Sequence, residues 1–180
     1  SLSRVVCKST KDFRKEQAIY RGTPMFESDI NPVFQCLSEH YLNKDAPTLN
    51  VAFFDIETDF DPVKGFADPS DPFMPITAIT VHLQWMDALI TLAIPPKVMT
   101  MDKDKELCAE WGDTCLLFER EADMLDTFLD LVDDADILSG WNSEGYDIPY
   151  TVNRVSRILS KDDTRRFCLW KQLPRRRDYE

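Results

Sequence analysis

The chain has little with which to build a disulfide or zinc framework. Its 180 residues include two histidines, His40 and His82, and five cysteines with no CxxC pair. Cys7, Cys36, Cys108, Cys115 and Cys168 are odd in number and irregularly spaced, so reduced thiols are expected. No apolar run approaches the ~18–20 residues that span a bilayer, and Ser1-Leu2-Ser3-Arg4 opens no signal-peptide core. A soluble, cytoplasmic protein with no membrane partner is the expectation. Basic charge is short as well: 21 Lys and Arg face 32 Asp and Glu, for a net charge of −11. That balance works against attraction to nucleic acid by charge alone. An initiator Met is also missing, which suggests a fragment or a processed chain.

What is present is a globular composition, 43% apolar and 11% aromatic, enough for one sizeable core. The acidity is local. Residues 50–160 carry 22 acidic against 7 basic side chains, whereas residues 1–49 and 161–180 are slightly basic. The run from Asp123 to Asp136 reads as the solvated face of a helix.

Ser9-Thr10-Lys11-Asp12 has the form of a capped helix start, and Asn31-Pro32 opens a second helix reaching about Leu42. These make a short N-terminal helical appendage, residues 1–48, that ends in the linker Asn43-Lys44-Asp45-Ala46-Pro47. Leu49 to Ile56 is then an almost unbroken apolar run, expected to be a strand buried on both faces. Asp59 to Pro75 holds four prolines and one glycine and reads as a long loop of the kind that carries function.

Strands are expected at Ile76–Gln84, Leu89–Ile94 and Cys115–Phe118, with Pro95-Pro96 stopping the second. Between Glu119 and Asp133, Met124, Leu125, Phe128, Leu129, Leu131 and Val132 recur at helical spacing. Ile137-Leu138 is a further strand end, and Ile148–Leu159 a further helix. The expected fold class is therefore α/β, a sheet flanked by helices over residues 49–180.

Three carboxylates carry the chemistry. Asp55 and Glu57 are two apart on a strand, so both project from one face at its carboxyl end, where open α/β sheets place their ligands. Asp147 follows Gly140-Trp141-Asn142-Ser143-Glu144-Gly145-Tyr146, a turn that returns the chain toward that strand. Clustered acids lose solvation and repel one another, and a cation relieves both effects. The pattern points to a divalent-metal phosphodiesterase. Plainer readings remain open: two solvated acids at a strand end, and a helix cap at Asp147.

Phe54-Asp55-Ile56-Glu57-Thr58 resembles the first exonuclease motif of family B DNA polymerases. Gly140-Trp141-Asn142 through Gly145-Tyr146-Asp147-Ile148-Pro149-Tyr150 resembles the second. Gly65-Phe66-Ala67-Asp68-Pro69 followed by Ile76-Thr77-Ala78-Ile79-Thr80 is similar to the intervening loop and strand in polymerases of large tailed phages. Pro24-Met25-Phe26-Glu27-Ser28-Asp29-Ile30 resembles the end of that family's N-terminal domain.

The resemblance implies an RNase H-like mixed sheet and a DEDDy 3′–5′ exonuclease that proofreads DNA synthesis, acting on the 3′ end of single-stranded DNA. It implies that Asp55 bridges two Mg²⁺ or Mn²⁺ ions, that Glu57 ligates one and orients the attacking water, and that Asp147 supports the second. Two such ions about 3.5–4 Å apart stabilise the attacking and leaving oxygens, and magnesium's preference for oxygen ligands suits carboxylates. Phe66 is expected to stack near the terminal base, with Asn142 and Tyr146 shaping the pocket. Against these stand a Phe66 folded back onto the core and a Tyr146 that merely packs under the turn. Partners implied are the remaining polymerase domains and, through them, a sliding clamp.

The family's third motif, a Tyr followed a few residues later by an Asp, has no match in Arg175-Arg176-Arg177-Asp178-Tyr179-Glu180, since neither Asp178 nor Glu180 fits the spacing. No Tyr-Gly-Asp-Thr-Asp polymerase signature occurs either. The expectation is a piece of a longer polymerase, truncated before that motif and weak or inactive in isolation. Two further readings are a stand-alone DEDD exonuclease on DNA or RNA, and a non-catalytic RNase H-like scaffold.

Overall fold

A computed structural model describes residues 3–96, 106, 109–110 and 114–176. Cys108 and Arg177 to Glu180 lie outside the described residues. The chain forms two units, Ser1–Pro47 and Thr48–Glu180.

In the first unit, α1 spans Thr10–Ile19 and α2 spans Pro32–His40. The Ser9 side chain accepts from Asp12 N–H at 3.1 Å, and Asn31 Oδ1 accepts from Val33 N–H at 2.9 Å, so each orphan helix start has a cap. Neither helix buries a side chain. The unit is tied by polar contacts instead, among them Arg4 to Glu39 at 2.6 Å and Gln35 Nε2 donating to Glu27 O at 3.0 Å.

The second unit is built on a five-stranded mixed sheet: β1 (Val51–Thr58), β2 (Ile76–Leu83), β3 (Ala88–Ala93), β4 (Cys115–Leu117) and β5 (Ile137–Ser139), in the order β4-β3-β2-β1-β5. β1, β2 and β3 pair antiparallel, while β4 and β5 join the sheet parallel. Helices α3 (Glu121–Leu131) and α4 (Asp147–Ile158) pack on the sheet through Met124, Leu125, Phe128, Leu129, Tyr150 and Val155, each buried.

Burial of β1 differs from expectation. Ala52, Phe54 and Ile56 face the helices, with Phe54 and Phe128 ring centroids 5.2 Å apart, but Phe53, Asp55 and Glu57 are exposed. The apolar run is a strand with one buried face, not two. Pleating sends alternate side chains to opposite faces whatever their polarity, and here the outward set is Phe53 followed by the two acids.

The loop from Asp59 to Pro75 is held along its length by α4. Asn153 Nδ2 donates to Pro69 O at 2.8 Å, Arg157 pairs with Asp71, Arg154 Nη1 donates to Pro72 O at 2.9 Å, and Tyr150 Oη donates to Met74 O at 2.7 Å. Positions 150, 153, 154 and 157 share one helix face, which is why one helix can grip an extended segment. Burial pushes the Tyr150 hydroxyl up to about 12, so it remains a donor.

Arg154 is locked in turn by Glu121, whose carboxylate takes both guanidinium contacts at 2.7 and 2.6 Å and also accepts from Ile76 N–H at 2.8 Å. Both side chains are about nine-tenths buried. The acids of α3 are exposed yet engaged: Asp126 and Asp130 meet Arg166, Asp133 meets Lys171, and Asp123 meets Arg120. Part of the expected solvated face is thus an ion-paired seam.

The Glu121 pair makes a stability prediction. Arg154→Met should destabilise the protein by about 3–5 kcal/mol in urea denaturation, because it strands a buried carboxylate. Adding Glu121→Leu should recover part of that loss, since the uncompensated charge is then gone.

Candidate active site

The site forms where β5 ends. β5 pairs with β1 only from Val51 to Phe53, so the backbone of β1 beyond that point lacks a strand neighbour on this side. A carboxylate takes the place of the strand: Ile56 N–H donates to Asp147 Oδ1 at 3.2 Å. Ile56 lies between Asp55 and Glu57, and the contact therefore ties the second motif into the middle of the first.

Close approach makes this possible. A Cβ on Gly140 would meet Phe54 O at 2.3 Å, and one on Gly145 would meet Asn142 Oδ1 at 2.9 Å. The turn continues through Asn142 at φ +50°, whose carbonyl accepts from Gly145 N–H at 2.9 Å and Tyr146 N–H at 3.2 Å. Asn tolerates this left-handed backbone better than most residues.

Asp147 is the first residue of α4 and is 5% exposed. The N-cap is Tyr146, which makes no side-chain capping bond, so the simple helix-cap reading of Asp147 gives way to a cross-link to β1. Burial holds its carboxyl above the usual carboxylate range, opposed by the Ile56 N–H and its own N–H and reinforced by the nearby Asp55 charge. A buried anion facing a second anion is the electrostatic signature that a cation would relieve.

Asp55 and Glu57 lie on the open face of β1. Asp55 is opposite Thr80, and the strand register shifts between Glu57 and Thr58, where Thr77 Oγ1 donates to Glu57 O at 3.2 Å. Bulges of this kind re-aim side chains and terminate pairing. Among the described residues, no three His, Cys, Asp or Glu side chains converge closely enough to hold a metal ion. The donor chemistry still suits a hard divalent cation, because the local donors are carboxylates and no thiol lies among them.

Phe66 is 68% exposed, on the loop and not folded onto the core. Tyr146 is partly buried beside the core, its ring 5.3 Å from that of Tyr150 and its hydroxyl 3.5 Å from Thr58 Oγ1. Packing thus accounts for much of Tyr146, while Asn142 is exposed at the rim of the turn.

Beyond Gly140 and Trp141 of the second motif, sequence reasoning missed the remaining walls. A groove of about 550 Å³ adjoins Asp55, lined also by Phe53, Thr80, His82, Leu89, Ser139, Gly140 and Trp141. Phe53 and His82 stack at 6.4 Å, and Trp141 is 92% exposed. The signal was available in the alternation of β2, which puts Thr80 and His82 on the face of Asp55 and Phe53.

A five-stranded mixed sheet of this order, with helices packed on it, is the architecture of an RNase H-like exonuclease domain. The chain belongs to DNA polymerase family B: the model of that family's exonuclease domain matches residues 23–177. It is 29% identical over 153 residues to the DNA-directed DNA polymerase of Escherichia phage RB69, covering 72% of this chain and 16% of that protein. It is 42% identical over 52 residues to the DNA-directed DNA polymerase of Enterobacteria phage T4, covering 28% of this chain and 6% of the relative. The chain therefore spans a small part of the length of these curated relatives. No helix among the described residues is long and apolar enough to cross a membrane.

The raised Asp147 carboxyl has a consequence for stability. A folded-state value above the unfolded one means that ionised Asp147 opposes folding at neutral pH, and that this penalty fades as pH falls through the raised value. D147N keeps an acceptor for Ile56 N–H and lacks the charge. It should melt above the unsubstituted chain at pH 7 in the presence of a chelator, with the gap narrowing in calorimetry as pH falls through the raised value.

Proposed function

We propose that the chain carries the 3′–5′ proofreading site of a family B DNA polymerase, hydrolysing the terminal phosphodiester of single-stranded DNA with the aid of two divalent ions. The observation that carries this reading is the buried Asp147 carboxylate held on the N–H between Asp55 and Glu57. That link ties the second motif to the first, which a lone helix cap or a pair of solvated acids would not do.

On this reading Asp55, Glu57 and Asp147 would hold the two ions, and Glu57 would also orient the attacking water. Magnesium or manganese, when bound, supplies charge stabilisation at the attacking and leaving oxygens. The chain's own part is placement. β1 carries Asp55 and Glu57 on one face, its register shifts after Glu57, and the close passage of Gly140 brings the second motif against β1.

Phe66, Asn142 and Tyr146 are the nucleotide contacts in this scheme. Stacking of a base on an exposed aromatic is worth about 1–3 kcal/mol and is sequence-tolerant, as removal of any mispaired nucleotide requires. The partners are the single-stranded 3′ end, the other polymerase domains and, through them, a sliding clamp; the setting is the cytoplasm in which that polymerase works. A domain tethered to its polymerase meets the strand at high effective concentration, so the acidic surface is no obstacle.

Calorimetric titration with Mn²⁺ tests the site directly. Binding should be present in the unsubstituted chain and lost in D55N and D147N. Mn²⁺ binding unaffected by both substitutions would sink the metal assignment in favour of a non-catalytic scaffold. In a gel assay on 3′-terminal single strands, the 180-residue chain should excise slowly or not at all, because among the described residues no group of three such side chains is close enough to hold a metal ion. Brisk Mg²⁺-dependent excision that disappears in D55A would show that three suffice.

A further inference from the structure

The loop carries two exposed phenylalanines where one is enough to meet a base. Phe60 and Phe66 are 49% and 68% exposed, yet their rings touch edge to face, with centroids 5.0 Å apart and planes at 62°. Such pairs are favoured by the ring quadrupole and restrict both partners. Side by side, the two rings present one exposed apolar surface on the loop.

The backbone explains how they meet. Asp61 and Gly65 form an antiparallel bridge, Gly65 N–H donating to Asp61 O at 2.8 Å and Asp61 N–H to Gly65 O at 3.3 Å. Asp61 Oδ1 accepts from Val63 and Lys64 N–H, each at 2.8 Å, which locks the turn between them. Gly65 supplies the positive φ of +80°. Residues 60 and 66 flank this bridge and are thereby set side by side.

The base of the turn is rigid as well. Asp59 N–H donates to Pro75 O at 3.0 Å, Asp59 Oδ1 accepts from Phe60 N–H at 2.8 Å, and Ala67 is 2% exposed in the core. Neighbouring hydrogen bonds hold the Asp61 and Asp68 carboxyls below the usual range, so both stay anionic, Asp61 beside Lys64. What the turn offers is ring surface.

We propose that Phe60 is a positioning residue: it fixes the plane of the Phe66 ring so that the free side of that ring is presented to an unpaired terminal base. This rests on the single-strand reading given under Proposed function. Without Phe60, Phe66 samples several rotamers and only some of them can stack, which lowers affinity without touching the carboxylates.

The test is binding of an oligo-dT carrying a 3′-terminal 2-aminopurine to the 180-residue chain, read as quenching and as Kd, beside the aromatic NMR resonances of Phe66. F66A should abolish the quench. F60A should weaken binding by about 2- to 10-fold and shift the Phe66 resonances toward averaged values, while F60Y, which keeps the aromatic edge, should match the unsubstituted chain. F60L controls for bulk and folding and should behave like F60A with an unchanged melting temperature. If F66A loses the quench and F60A or F60L does not weaken binding, the positioning role is overturned and the single-strand reading stands. If F66A itself changes nothing, the base-stacking reading falls, and this inference with it.

Discussion

One hydrogen bond organises the candidate site: Ile56 N–H to the Asp147 carboxylate. It spans 91 positions of sequence and joins the strand that carries Asp55 and Glu57 to the first turn of α4. Its conditions reach outward from there. β5 must stop at Ser139 so that the N–H of Ile56 is left for a side chain. Residue 140 must be glycine, because any Cβ would press on Phe54 O. The turn from Trp141 to Tyr146 must then deliver Asp147 in the right orientation, which the left-handed Asn142 and its doubly used carbonyl accomplish.

That arrangement buries a charge, and the rest of α4 offsets the strain on the fold. The helix that begins with a destabilised carboxylate continues with Tyr150, Asn153, Arg154 and Arg157 gripping the long loop, and Arg154 is neutralised by Glu121 of α3. The same helix thus carries the acid of the site at its start and anchors the segment that bears Phe66. Any tilt of α4 would move both, so metal ligation and nucleotide contact are mechanically linked on this reading.

Much of this was legible in the sequence, and what was missed has physical causes. The caps Ser9 and Asn31, the strand at Ile76, and helices α3 and α4 follow from local signals that tertiary contacts only reinforce. Asp55 and Glu57 share a face because pleating has a period of two, a rule independent of context. The one-sided burial of β1 was not legible: Val51 and Phe53 are as apolar as their buried neighbours, and apolarity does not reveal whether a second layer covers them. Nor was the partner of Asp147, because a carboxylate at a helix start has the same local pattern whether it caps its own helix or reaches a distant strand. The clamp on the loop was hidden for a similar reason. Arg154 and Glu121 look like ordinary surface charges until the fold buries them against each other.

The acidic balance is the feature that most resists a nucleic-acid role, and the structure suggests how the two coexist. Several acids are occupied by cations of the same chain, as with Asp126, Asp130 and Asp133 against Arg166 and Lys171. Others hold turns, as Asp61 and Asp68 do. Beside Asp55 the lining is different: Phe53, His82, Leu89 and Trp141 give a groove of rings and aliphatic surface. Long-range phosphate attraction would bind duplex and single strand alike, and would hold a correctly paired strand as firmly as a frayed one. A surface that repels phosphate in general but accepts unstacked bases favours ends that have already lost their pairing. On the proposed proofreading reading that selectivity would be worth more than affinity, because tethering would supply the strand and what remained to be decided would be whether its last base is free to stack.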